Sequence, residues 1–463
     1  MASVGEGFVG GMRDIRRRRP VIVPLLAVAA LVGVSACGPG PLPGGDSGTI
    51  VWLAGPITRQ VSDDVRRVLV DAFEQAYPSI KVRIANGPDS TDQLHQILRA
   101  DLTSGSDTPD VYSGDVIWPY EFGHDGLALR LSDYLPPSFW SNFAPPGTPL
   151  ADNQLARAMS YGTGIYAVPY FVDEGFLYYR KDLLARAGLA PPSTWEQLVQ
   201  DSQILRSKGL PYQFVWQGDD YEGLTCVWLE MLADAFGGLP ANTTTADVLA
   251  SPQALRALTF LRDLISGGVS PSDTNIIEVP DSDNRFDSGQ VAFLRSWDSS
   301  YANAKSGRSK IADGDQVGVM PPPTFQGVRG PGWSAVGGWN LYVNPHSKTI
   351  RTDLTFVTWM AGAQAQRILA TQFSEIPSNA AVRADPTVTA ASPVLAAATQ
   401  TSLVWRPAAT TNYQSVTKAI HLSVHRALPS PPLSAELDPC HALITMARTI
   451  DPDARITLRC GGG

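Results

Sequence analysis

The chain has 463 residues, 44% of them hydrophobic, and such a length exceeds what one hydrophobic core supports, so two domains are expected. There are 36 Lys and Arg against 44 Asp and Glu. The first 36 residues hold five Arg against Glu6 and Asp14, which leaves 31 minus 42, or −11, for the rest and argues against nucleic acid or an anionic membrane surface as the ligand.

At the N-terminus, Arg13 and Arg16 to Arg19 precede the apolar run Val21 to Val34, the pattern of a secretory signal. A membrane-spanning helix needs about 20 apolar residues, and this run stops at Val34-Ser35-Ala36-Cys37. Those four residues have the form of a bacterial lipobox. Residues 1–36 are therefore expected to be a signal peptide removed before Cys37, Cys37 to carry a lipid, and the Gly-rich 37–48 to be a flexible tether. The expected location is the outer face of the bacterial cell membrane.

Thr49 to Leu53 reads as a strand, Val61 to Tyr77 as an amphipathic helix ending before Pro78, and Ile80 to Ala85 as a second strand. Gln93 to Ser104 is helical again, and Pro109-Asp110-Val111-Tyr112 opens a short strand that leads into a loop. This alternation predicts an α/β fold whose sheets are mostly parallel, with ligands at the carboxyl ends of the strands. Ser193-Thr194-Trp195-Glu196 has the form of a capping box and starts a helix to about Lys208. Ser251-Pro252 starts another through Ile265, closed by Gly267-Gly268, and Val291 to Trp297 is a compact strand. Pro321 to Gly332 reads as a loop beside a chain crossing.

Export to an oxidising compartment favours a disulfide between Cys440 and Cys460. Zinc is the rival there, but no CxxC or HExxH accompanies these cysteines. Cys226, inside an apolar stretch, reads as a small buried filler. His421 and His425 stand at i, i+4, yet no Glu lies between them and no third ligand is near in sequence, so no metal is expected. The chain has no GxSxG elbow and no GxxxxGK loop, and no cofactor is expected.

Further features fall in one order. They are Pro109-Asp110-Val111, Asp115-Val116-Ile117-Trp118, Gly126-Leu127, Tyr166-Ala167-Val168-Pro169, Leu177 to Leu183, Thr194 to Leu198, Phe286 to Phe293 before Trp297, Gly337 to Leu341 and Arg406-Pro407. The ordered set resembles the carbohydrate-binding extracellular solute-binding proteins of ABC importers, closest to the actinobacterial trehalose- and maltose-type lipoproteins. The resemblance implies two α/β lobes that close on a sugar and hand it to permease subunits driven by a cytoplasmic ATPase, the binding protein itself being a monomer and not an enzyme. It also implies a first lobe of residues 49–172 and 323–374 and a second of 173–322 and 375–463.

A sugar presents vicinal hydroxyls to carboxylates, amides and Arg, and a C–H face to an aromatic ring. Asp115 and Trp118, in the loop after the Val111 strand, are candidates, with a turn residue and a core residue as the alternatives. Asp173 and Glu174 fall at the first crossing, where a carboxylate would face the cleft. Tyr221 and Glu222 stand in the polar loop from Gln217 to Gly223, where Glu222 could instead serve the helix dipole. Trp297 falls where the family places its stacking aromatic, Gly338 allows close backbone approach because it has no Cβ, and Trp339 is a candidate aromatic wall. Arg406 could hold a hydroxyl pair, or could form a structural ion pair. Tyr413 and Tyr120 are secondary candidates. The readings from other classes are a glycoside hydrolase pairing Asp115 with Asp173 or Glu222, and a binding protein for a glycerophosphodiester or a peptide.

Overall fold

The computed structural model describes residues 47–460 apart from 56–63, 89, 146–155, 157, 240–243, 307–308, 312–315 and 430–437. Cys37 and the expected signal peptide lie outside the described residues.

The chain opens with β1 (Gly48–Ala54), whose Ile50, Trp52 and Ala54 alternate onto a buried face. The helix Val65–Ala76 follows, capped by Asp64, whose side chain accepts from the Arg66 N–H; it buries Val65, Leu69, Val70 and Phe73 on one stripe. It leads to β2 (Ile80–Asn86), parallel to β1, and the helix Thr91–Thr103 then leads to β3 (Val111–Asp115), also parallel to β1. A short hairpin of β4 (Ser160–Tyr161) and β5 (Gly164–Ile165) precedes β6 (Val168–Glu174). Through Gly175 that strand runs straight into β7 (Phe176–Arg180), a member of another sheet. A Cβ at Gly175 would collide with the side chains of Glu230 and Arg295, so a buried ion pair sits against the chain where it changes sheets.

The second sheet takes β8 (Phe214–Val215), β9 (Phe293–Ser296) and β10 (Val317–Met320), in the order β10-β7-β9-β8. The chain then returns through β11 (Trp333–Val343), and β12 (Ile376–Pro377) and β13 (Ser402–Val404) complete the first sheet. Its order is β12-β6-β11-β3-β1-β2, with β13 on β11.

The two-lobed α/β class therefore holds, but the expectation of mostly parallel sheets needs correction. In the large sheet β11 runs antiparallel to both β3 and β6, and β12 antiparallel to β6. In the small one only β8 and β9 are parallel. The reason lies in connectivity. A βαβ unit imposes parallel pairing, whereas β6, β7 and β11 enter their sheets by direct crossing and are under no such constraint.

One apolar cluster gathers Trp52, Phe73, Tyr112, Trp118, Leu341 and Phe356 about the large sheet. The other surrounds the helix Glu222–Phe236 with Trp195, Trp228, Leu258 and Leu443. Truncating such a buried aromatic to Ala costs about 3–5 kcal/mol. The helix Trp195–Ser207 begins one residue later than the capping box suggests. Thr194 Oγ1 accepts from the Gln197 N–H, and Gln197 Oε1 accepts from the N–H and hydroxyl of Ser193. Glu196, assigned to that box, instead pairs with Arg256. Near the C-terminus the helices Tyr413–Ala427 and Pro439–Ile450 pack together, and a Cys440–Cys460 disulfide ties the following segment back to the start of the second helix.

Candidate functional site

Three of the sequence candidates meet in one ion network. Asp115 ends β3 in the large sheet, and Glu222 opens the helix Glu222–Phe236 in the other half. Arg406, just past β13, reaches both: its Nη2 and Nη1 donate to Asp115 Oδ1 and Oδ2 at 2.5 and 3.0 Å, and Nη1 also donates to Glu222 Oε1 at 3.0 Å. Its Nε donates to the Val336 carbonyl at 3.3 Å. The Tyr413 and Thr417 hydroxyls complete the set by donating to Glu222 at 2.5 and 2.6 Å. Burial works against the Arg406 charge, yet Asp115 and Glu222 on either side hold its pKa well above the usual guanidinium range. Burial likewise pushes the Glu222 carboxyl up, opposed by Arg406. The fork of Arg406 is thus occupied by protein carboxylates, and Glu222 does more than face a helix dipole.

Beside this network, the Trp297 ring is buried, with the Arg295 guanidinium 4.2 Å from its centroid. Arg295 is itself held by Glu230 and, through Nη1, by Gln217 Oε1 at 2.9 Å. A Cβ at Gly337 would lie 2.9 Å from the Trp297 ring and 3.1 Å from Asp173 Cβ, so the missing side chain lets both groups rest on β11. Gly338 adopts φ +116°, and its would-be Cβ falls 2.5 Å from the Phe171 carbonyl oxygen, a position only glycine fills. Its own carbonyl accepts from Val116, the residue after Asp115, at 3.2 Å.

Asp173 pairs with Gly337 across β6 and β11, and burial pushes its carboxyl up to about 6. Glu174, next along the strand and on the opposite face, lines a cavity of about 380 Å³ with Arg383, and burial pushes it up to about 8. The structure does not bring it to the Arg406 network. Trp118 and Trp339 also stand apart. Trp118 is 1% exposed and packs against His95, Phe122 and Trp339, while Trp339 covers Gly55. Both rings belong to the core of the large-sheet half. The Tyr221 ring folds over the backbone of Gly223.

A cavity of about 750 Å³ adjoins the network. Ile117 and Tyr120 line it from the large-sheet half, Val416 and Asn412 from the C-terminal helix region, and Trp405 with Arg406 between them. Sequence reasoning missed Arg295, hidden in an apolar strand, although a charged residue at an inward strand position is itself a signal. It also missed Trp333, which lines the same cavity. His421 and His425 do not converge on a metal: His421 bonds Asp220 at 2.6 Å and His425 the Asn275 carbonyl at 3.0 Å.

Two α/β halves joined by crossing strands, with carboxylates from both held by one arginine at the join, define a two-lobed solute-binding protein. The profile of the bacterial extracellular solute-binding proteins matches residues 60–367, and the chain belongs to that family. A probable ABC transporter-binding protein of Deinococcus radiodurans is 30% identical over 357 residues, covering 75% of this chain and 81% of that protein. Maltose-bound MalE3 of T. maritima is 30% identical, with a TM-score of 0.74 over 87% of this chain and 98% of that one. The GacH receptor of Streptomyces glaucescens shares the fold at 24% identity, with a TM-score of 0.71 over 88% of this chain and all of the receptor's. The protein is a binding protein and not an enzyme, which removes the glycoside hydrolase.

Proposed function

We propose that the protein captures a di- or oligosaccharide of the trehalose or maltose type between its lobes and delivers it to an ABC permease driven by a cytoplasmic ATPase. In this reading Cys37 anchors a monomer to the outer face of the cell membrane by its lipid. The observation that carries the reading is the Asp115–Arg406–Glu222 network, in which one guanidinium joins the two halves beside Trp297. With the Arg406 fork taken up inside the protein, the carboxylates beside it are the groups left to accept from sugar hydroxyls, and hydrogen bonds to charged groups contribute about 1.5–3 kcal/mol each. The lobes proposed to close are residues 49–172 with 323–374, and 173–322 with 375–463, corrected in that β12 and β13 join the large sheet and place residues 376–404 with the first lobe. The likeness to maltose-bound MalE3 supports an α-glucan ligand, and the acidic surface fits a neutral one.

The test is a thermal-shift screen of the mature protein against trehalose, maltose, longer glucans and glycerophosphodiesters. Ligand binding to the folded state alone raises the midpoint in proportion to the logarithm of its concentration. The expected result is a concentration-dependent rise with an α-linked glucose oligomer. A rise with a glycerophosphodiester alone overturns the sugar assignment.

A further inference from the structure

Asp173 near the end of β6, Asp298 two residues beyond β9, and Glu375 immediately before β12 converge at the crossing between the sheets. Each offers one carboxylate oxygen, and these oxygens lie within 4.8 Å of one another, although the residues are 2%, 0% and 1% exposed. A second observation is independent of that grouping. Glu375 Oε2 is sealed from solvent without a hydrogen-bond partner, as is the hydroxyl of Tyr170, which feels the Glu375 charge, and Asp173 Oδ1 and Asp298 Oδ1 find no partner beyond each other's carboxyl group. The cations acting on Asp173, Arg406 and Arg295, are already engaged by Asp115, Glu222 and Glu230.

Three carboxylates gathered in a low-dielectric interior must take up protons or hold a cation. One divalent ion would take an oxygen from each of the three carboxylates at once. Calcium–oxygen distances run at about 2.3–2.6 Å, so oxygens sharing one ion stand at most about 5 Å apart, and the three carboxylate oxygens already lie inside that limit. Calcium also tolerates an irregular shell and full dehydration, whereas magnesium gives up its waters reluctantly. We propose that Asp173, Asp298 and Glu375 form a calcium-binding site that joins the strands crossing between the lobes. A bound ion would tie β6, the exit of β9 and the entry to β12 together, setting the stiffness of the hinge.

The experiment uses the mature protein after chelator treatment, titrated with calcium and, separately, with terbium as a luminescent probe. The expected result is a rise in the unfolding midpoint of roughly 2–4 °C or more, half-complete at or below the roughly 10⁻⁴–10⁻³ M typical of extracellular calcium modules, together with sensitised terbium emission. Replacing two ligands with amides, as Asp298→Asn with Glu375→Gln, should abolish both responses. A flat midpoint and no terbium emission in the wild-type protein overturn the site and leave the cluster to protons, and that titration decides the matter even if the variant does not fold. An equal response in a folded variant overturns it as well. Neither readout involves sugar, so failure of the sugar reading and failure of this one are distinguishable.

Discussion

Trp297 shows how a single side chain can be placed by sequence while its surroundings are not. The family resemblance put a stacking aromatic at its position, and the structure sets the ring against Gly337 and under the Arg295 guanidinium. Nothing in the local sequence announced Arg295 as its neighbour, because that contact depends on Glu230 and Gln217, 65 and 78 residues away, holding the guanidinium still. Trp118 and Trp339 illustrate the converse, since motif order cannot tell a ring that meets a ligand from one that closes a core. Trp297→Ala removes a central aromatic contact, worth about 2 kcal/mol or more, so sugar affinity should fall roughly thirtyfold. Arg295 keeps its carboxylate and amide partners, and the variant should remain folded. Calorimetry on Trp297→Ala beside Trp297→Phe checks this: wild-type affinity in a folded Ala variant assigns the ring to packing alone.

At the level of elements, local chemistry set what the sequence revealed. The Ser251 cap, the stop at Gly268 and the alternation of β1 and β2 were legible because each depends on neighbours within a few residues. The polarity of β11 was not, since it depends on a crossing that brings Trp339 opposite both Asp115 and Phe171. The helix Ile350–Met360 carries a testable electrostatic feature in its first turn. Asp353 accepts from the Ser347 and Thr349 hydroxyls at 2.6 and 3.0 Å, and burial, helped by the charge of Asp110, pushes it up to about 7. A carboxyl whose folded pKa exceeds its unfolded value binds more protons when folded. Its stabilisation is therefore present below the unfolded value of about 3.9 and is lost as pH rises through about 7. Between pH 4 and 7 the unfolding midpoint of the wild-type protein should carry a downward component from this group. Asp353→Asn, which keeps the shape and cannot titrate, should lose that component, and parallel midpoint-against-pH curves for the two proteins would contradict it.

For the whole molecule, the Arg406 bridge determines what closure costs. Asp115 belongs to the large-sheet half and Glu222 to the other, so one buried guanidinium neutralises carboxylates that would otherwise face each other across the join. Removing one partner of a buried ion pair costs about 3–5 kcal/mol, because the remaining charge stays desolvated. Moving a two-state equilibrium from 1:99 to 99:1 takes about 5.5 kcal/mol, so a loss of about 3–5 kcal/mol covers most of that span between closed and open lobes. Arg406→Ala should open the protein, since separation returns Asp115 and Glu222 to water, while each lobe keeps its own core. Small-angle scattering reads this directly. The wild-type protein should compact when saturated with its sugar, because a ligand touching both lobes favours the state in which both contacts exist. The variant should show a larger radius of gyration that sugar no longer reduces. An unchanged radius in the wild-type protein at saturation removes the hinged-trap mechanism, and an Arg406→Ala protein that still compacts confines Arg406 to a local ion pair.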